Sequence, residues 1–341
     1  MRLQDPLGPL LLSLTAIPVS YLVNSLSAVS DPISIAGIGV LVLLGLLVIL
    51  YIFVQGDPPS DPLFYVFAIF SFTSVIDLII WLEEDGYIKG FMEFYMKEGE
   101  PYLRTAHGLL ICLWDGTVHY VLYLLMLAAI ASGRSYKAVG LFWLGSLVMS
   151  MLIFLPGNIV GKYGTEIRPA FFLNVPYVLL PVWAGMRIFR GSHVLPKISA
   201  EKLALDCPSD ACFTYIYQYE PYLKDPVAYP KVQMLVCMFY VLPFQCLSIY
   251  ALLVPGCSWM LDWTLIYAGA IAQAQFAHMG SSLYHRTPYT YRVPHDSWWV
   301  FVILNGLYTL GPQFLAYRCF KKPAFFLQKT FHSAEDGKKM N

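Results

Sequence analysis

Long stretches of this chain carry no Asp, Glu, Lys or Arg: residues 6–30, 32–56, 138–161, 169–186, 232–261, 263–285 and 297–317. Two more, 62–82 and 105–133, are each interrupted by one carboxylate, Asp77 and Asp115. An apolar helix needs about 20 residues to cross a hydrocarbon core. A backbone in that core must satisfy its own hydrogen bonds, so only helices and closed barrels span it. Continuous runs, as opposed to ten-residue alternating segments, select helices. The chain therefore reads as an all-α polytopic membrane protein with about nine transmembrane helices. Composition agrees: 57% of the 341 residues are hydrophobic, 13% are charged and the net charge is zero, outside the habit of soluble domains. No net positive charge and no long basic run argue against a nucleic-acid partner. Only Arg2 precedes the first run, which Pro9 and Pro18 break, so that run reads as a retained span and not as a cleaved signal.

A repeat is written over these spans. Asn174, Tyr177, Pro181, Arg187 and Phe189 return with the same spacing at Asn305, Tyr308, Pro312, Arg318 and Phe320, and Glu100-Pro101-Tyr102-Leu103 returns at Glu220-Pro221-Tyr222-Leu223. Two landmarks in the same order mark a duplication. Residues 1–60 hold two helices without a counterpart, 61–189 the first copy, 190–202 a polar connector, 203–320 the second copy and 321–341 a basic tail expected in the cytosol. The second copy lacks its first helix: only 203–219, with Asp206 and Asp210, precedes its Glu-Pro-Tyr-Leu. Basic residues at Arg134, Lys137, Arg187, Arg190, Lys197 and Lys202, and again in the tail, place both ends of the second half on one side. That demands an even number of crossings where three strong segments exist. Either 203–219 dips into the bilayer, or one half is inverted, or the chain is a shortened form of a ten-span parent. The cysteines form no disulfide framework, although Cys207 and Cys212 share a loop and would bridge in an oxidising lumen.

Function is sought first at polar groups in apolar runs. Asp77 sits mid-span, where a lone carboxylate costs several kcal/mol unless it pairs, hydrates or takes a proton; a structural hydrogen bond to a neighbouring helix is the alternative. Asp115 and His119 lie one helical turn apart, with Trp114 beside them, and an acid next to an imidazole is a proton-sharing pair suited to acid–base chemistry or to fixing two helices. A metal site is the weaker reading, since one helix supplies two ligands and no second cluster follows; no metal and no cofactor are expected. Asn174 and Tyr177 share a face one turn before Pro181, which frees a backbone carbonyl. The repeat of this arrangement at Asn305, Tyr308 and Pro312 equally fits a kinked helix held by an amide bridge. Gln273, Gln275 and His278 form another polar patch. Of the aromatic residues, Trp81, Trp114, Trp143 and Trp183 are expected deep enough to line a pocket, where an indole face would steady a cation.

The motifs at 98–107, Trp114-Asp115-Gly116-Thr117, 154–163, 166–173, 225–231 and 272–276 together resemble the transmembrane 6 superfamily over nearly the whole chain. The resemblance implies two tandem EXPERA-type helical bundles, the module shared with emopamil-binding protein, a sterol isomerase, and with the sigma-two receptor. It makes 61–189 the first EXPERA domain and 203–320 an incomplete second. It also implies residence in the endoplasmic reticulum membrane and the endoplasmic reticulum–Golgi intermediate compartment, and a part in triglyceride secretion and lipid-droplet content. Lys338-Lys339-Met340-Asn341 resembles a dilysine retrieval signal.

Carried over residue by residue, the isomerase's catalytic Glu falls on Asp77, its second acid on Asp115, its Asn on Asn174 and the neighbouring Trp on Tyr177. Its His falls on Thr73, which does no proton chemistry, so isomerase activity would need His119 as a substitute. In the second copy the corresponding acid is replaced by Met238. Against the family's usual ten spans a helix is missing between Arg190 and Leu205, and the second half is expected to fold poorly without it. Three functions follow: a regulator that binds a membrane lipid or sterol, a sterol isomerase-like enzyme, and a scaffold for lipoprotein-assembly proteins.

Overall fold

The computed structural model describes residues 7–25, 31–56, 58–189 and 219–327. Connector 190–202, segment 203–218 with Cys207 and Cys212, and the signal at Lys338 and Lys339 lie outside them, as does the segment on which the missing-helix expectation turns. Every regular element among the described residues is helical. The order is α1 (Leu7–Leu14), α2 (Ala16–Ser25), α3 (Pro32–Val54), α4 (Leu63–Glu84), α5 (Ala106–Trp114), α6 (Tyr120–Ala131), α7 (Lys137–Val160), α8 (Pro176–Phe189), α9 (Tyr229–Val236), α10 (Leu242–Leu253), α11 (Met260–Leu283), α12 (Trp298–Lys321) and α13 (Pro323–Leu327).

Eight helical segments among the described residues have the length and apolarity to cross a membrane. The ninth expected span, 263–285, is α11. It has the length at 24 residues but carries Gln273, Gln275, His278, Ser281 and Ser282, all buried. A helix enclosed by other helices satisfies its apolar requirement through its neighbours rather than through lipid. α11 is enclosed in this way, packed along α7 and against α5 and α12.

Local sequence sets the starts of several helices. Asp31 accepts hydrogen bonds from the backbone N–H of Ile33 and Ser34 and is followed by Pro32 at the first helical position of α3. Thr105 caps α5 through the Gly108 N–H. Pro156, Pro181 and Pro312 lie inside α7, α8 and α12, where each removes one backbone donor.

The two Glu-Pro-Tyr-Leu segments share one backbone conformation. Glu100 and Glu220 have nearly the same torsion angles (φ −134°, ψ 71° and φ −132°, ψ 68°), and each opens a turn of 3-10 helix, Pro101–Arg104 and Pro221–Lys224. Downstream, each copy then holds a wide π turn inside a span, Asp115–His119 between α5 and α6 and Cys237–Val241 between α9 and α10. Such turns cost hydrogen-bond geometry and concentrate at functional positions. The two halves are joined by α7 against α11 and, in the loops, by Arg286. Its guanidinium donates to Glu84 Oε2 at 3.0 Å and to the Glu84 carbonyl, while Arg104 donates to the same Glu84 carboxylate at 2.8 Å.

Candidate lipid-facing cavity

A cavity of about 190 Å³ lies between α2, α3, α4, α5 and the loop before α5. Most of its wall is apolar, with Val42, Ile76, Ile111, Phe154 and Leu173 among the lining side chains. Its polar lining includes Asp77, Glu100, Asp115, Thr73, Asn174 and Tyr177. Four residues singled out from sequence, Asp77, Asp115, Asn174 and Tyr177, are thus brought to one chamber from three separate spans.

Each is held by identifiable contacts. Asp77 projects from α4, half-buried, within hydrogen-bond reach of the Cys112 thiol on α5. Gly116 lets the two carboxylate-bearing segments approach: a Cβ there would come within 2.6 Å of Leu78 Cβ and 2.8 Å of the Leu78 backbone. Tyr177 stacks on Phe70 at 4.6 Å and reaches the Thr73 hydroxyl.

Asp115 is the end of a buried relay. The Trp114 indole N–H donates to Ser146 Oγ at 2.9 Å and points at His119 Nε2 at 3.3 Å, and Ser146 Oγ lies 2.7 Å from that nitrogen. Because the Trp114 N–H also points at Nε2, that nitrogen is an acceptor, and the Ser146 hydroxyl donates to it. His119 therefore carries its proton on Nδ1, which faces Asp115 Oδ1. A carboxylate so held is fixed in orientation and has a proton donor behind it.

Two sequence expectations are corrected here. Trp114 does not line the cavity: its ring turns to Ser146 and packs on Phe276 at 5.0 Å. His119 is fully buried behind Asp115 and does not line the cavity either, so it acts on a guest only through that acid. The other expected tryptophans are also elsewhere. Trp143 packs against Phe67 and Tyr123, Trp81 against Tyr87, and Trp183 is partly exposed. No indole lines the chamber among the described residues.

Glu100 is the residue that reading the sequence missed. It is buried, and Asn174 Nδ2 donates to its Oε1 at 2.7 Å, Tyr95 to its Oε2 at 2.6 Å, and Tyr102 to its Oε1. Burial pushes its carboxyl above the ordinary value, against the pull of the Tyr102, Tyr95 and Asn174 hydrogen bonds. Burial and the nearby carboxyl raise Tyr95 and Tyr102 in turn, so both phenols stay donors.

The second copy repeats the bond and changes the surroundings. Asn305 Nδ2 donates to Glu220 Oε1 at 2.9 Å, but the other oxygen faces His278 Nε2 at 3.3 Å. At the head of its π turn stands Cys237 where the first copy has Asp115, with its Sγ 3.9 Å from the hydroxyl of Tyr308. Met238, expected at the acid's place, is exposed outward. Pro181 and Pro312 are buried in both copies. No group of three or more potential metal ligands occurs among the described residues.

Comparison with known proteins bears on the same segments. Residues 15–199 match the family model described as Transmembrane 6 superfamily member 2-like, transmembrane domain, and residues 210–319 match EXPERA (EXPanded EBP superfamily). The protein named Transmembrane 6 superfamily member 2 of Homo sapiens is 55% identical, over 93% of each chain. That of Mus musculus is 53% identical, over 95% of this chain and 94% of its own. That of Rattus norvegicus is 52% identical, over 96% of both. No solved structure matches.

Proposed function

The chain belongs to the transmembrane 6 superfamily member 2 family, and on that premise we propose that it is an endoplasmic reticulum membrane regulator of lipid metabolism. It holds a sterol or another membrane lipid in the cavity of its first half. One observation carries this: a largely apolar chamber whose polar lining joins Asp77, Glu100 and Asp115 with the Asn174 amide. Apolar walls with a few convergent polar groups are the habit of sites for small apolar molecules. The carboxyls would receive a lipid hydroxyl, and the walls its hydrocarbon body. Residence in the endoplasmic reticulum and its intermediate compartment, and an influence on triglyceride secretion and lipid-droplet content, follow from the family resemblance and from Lys338 and Lys339. The matching backbone at Glu100 and Glu220 supports reading both halves as EXPERA-type bundles, with the second as structural partner.

An isomerase-like enzyme is the second reading, favoured by the relay from His119 to Asp115. Against it, Thr73 stands where the related isomerase has its imidazole, and among the described residues no histidine lines the cavity. A scaffold for lipoprotein-assembly partners would need neither ligand nor relay. The deciding experiment purifies the full chain from membranes, identifies copurifying lipid by mass spectrometry, and assays Δ8-sterol turnover for wild type and Asp77→Asn. Saturable binding without turnover is expected. Turnover abolished by Asp77→Asn would replace the regulator with the enzyme, and a protein that retains no lipid would leave the scaffold.

A further inference from the structure

The cavity has further polar groups on a helix that belongs to neither copy of the repeat. Ser20 of α2 lines the chamber, is 3% exposed, and its hydroxyl has no hydrogen-bond partner. Several serine hydroxyls in these helices bond back to their own backbone, Ser25 to the Tyr21 carbonyl, Ser71 to Ala68, Ser248 to Phe244 and Ser282 to His278; Ser150 and Ser281 lack a partner as Ser20 does, but neither lines the chamber. Ser20 makes no such bond. Asn24, one turn further along α2, lines the same chamber. Its Oδ1 accepts the Phe94 backbone N–H at 3.2 Å. That bond fixes which amide atom is oxygen and leaves Nδ2 as an unused donor.

We propose that Ser20 and Asn24 form a second hydrogen-bonding subsite that takes the ester carbonyl of a neutral lipid whose free hydroxyl is held at the carboxyl groups. This inference rests on the reading of the cavity as a lipid site. Two donors one turn apart call for an acceptor with two lone pairs, which a carbonyl oxygen is. An anionic guest is disfavoured because no Lys or Arg lines the cavity among the described residues, while three carboxyl groups do. A hydrocarbon with no oxygen at this level leaves Ser20 unpaired, and a buried donor without a partner is costly. The class that satisfies both places is a hydroxyl-bearing acyl ester, of which a monoacylglycerol is the simplest.

The test uses the full chain in nanodiscs and two radiolabelled probes, 1-oleoylglycerol and its ether analogue 1-O-oleylglycerol, which differ at the carbonyl. Wild type is expected to bind the ester about tenfold more tightly than the ether. Ser20→Ala narrows the ester preference to the part that the Asn24 amide retains, whereas Ser20→Thr, which keeps a hydroxyl, restores it. Equal affinities for the two probes in wild type, or a preference undiminished by Ser20→Ala, would overturn the subsite alone. Absence of saturable binding for both probes would overturn the subsite and the lipid-site reading together. The Ser20→Ala protein should melt no lower than wild type, because it loses a group that bonds to nothing in the protein.

Discussion

Replacing Gly116 by alanine tests how the cavity's two acids are brought together. The added Cβ would lie 2.6 Å from Leu78 Cβ and 2.8 Å from the Leu78 Cα and backbone nitrogen. Carbon atoms in ordinary contact sit about 3.5–4.0 Å apart, so α4 must retreat from the π turn by roughly 1 Å. Two of the three atoms met are backbone, and no rotamer change relieves them. Overpacking of this kind costs about 1–3 kcal/mol, and the better helix propensity of alanine returns up to about 1 kcal/mol. A net loss of about 1–2 kcal/mol corresponds to a fall of roughly 1–3 °C in the unfolding midpoint of a chain of 341 residues.

The same retreat carries Asp77, next to Leu78, away from Asp115, next to Gly116. A guest hydroxyl that bridges both acids would then keep one bond and lose the other, about tenfold in affinity. The control is Gly45→Ala in α3, where a Cβ meets nothing within 4 Å. Thermal unfolding in detergent and lipid binding in nanodiscs are measured on both variants. If Gly116→Ala melts and binds as Gly45→Ala does, the close approach at Gly116 does not set the spacing of the acids.

Two further perturbations address the Glu–Asn bonds. Glu100 has its folded-state carboxyl raised by burial, so the folded protein binds a proton that the unfolded chain has already released above its ordinary value of 4.5. Its contribution is full below that value and is lost as pH rises through the folded-state value. Midpoints measured between pH 5 and 8 should fall more steeply with rising pH in wild type than in Glu100→Gln, and a steeper fall in the variant would contradict the buried-acid reading. Asn174→Ala and Asn305→Ala each remove one donor to a buried carboxyl, at a cost of about 1.5–3 kcal/mol; only Asn174→Ala should also weaken lipid binding, and equal binding losses would show that the second copy holds ligand too.

The sequence made the fold legible because lipid imposes length and apolarity on each helix, and most spans expose broad faces that obey it. α11 departed because its neighbours, rather than lipid, surround it. Asp77 and Asp115 were conspicuous as charges inside apolar runs. Glu100 was not, because it follows Lys97 and Glu98 in an acidic loop where one more carboxylate looks solvated. The signal was nevertheless there: Glu100 and Asn174 are both copied in the second half, one able only to accept as a carboxylate and the other able to donate. Trp114 was expected at the pocket from its depth in an apolar run, but depth does not say which way a ring turns, and here it turns to Ser146 and Phe276.

The second copy explains why a cavity is argued for the first half alone. Both copies keep the Glu–Asn bond and the π turn, so these belong to the shared scaffold. The copies differ in what meets the remaining carboxylate oxygen: a tyrosine beside the cavity at Glu100, and the His278 imidazole from α11 at Glu220. They differ again at the head of the π turn, Asp115 against Cys237, and in the helices in front, because α2 and α3 wall the first copy only. At Glu220 the carboxyl group meets a histidine and an amide from inside the protein. One whose partners are tyrosines and an amide still lacks a countercharge, and the presence of Asp77 and Asp115 nearby makes an incoming hydroxyl or proton more favourable. The Glu–Asn bond and the π turn thus recur in both copies while the groups around them differ: Asp77, Glu100 and Asp115 line a chamber in the first, and Glu220 meets His278 in the second.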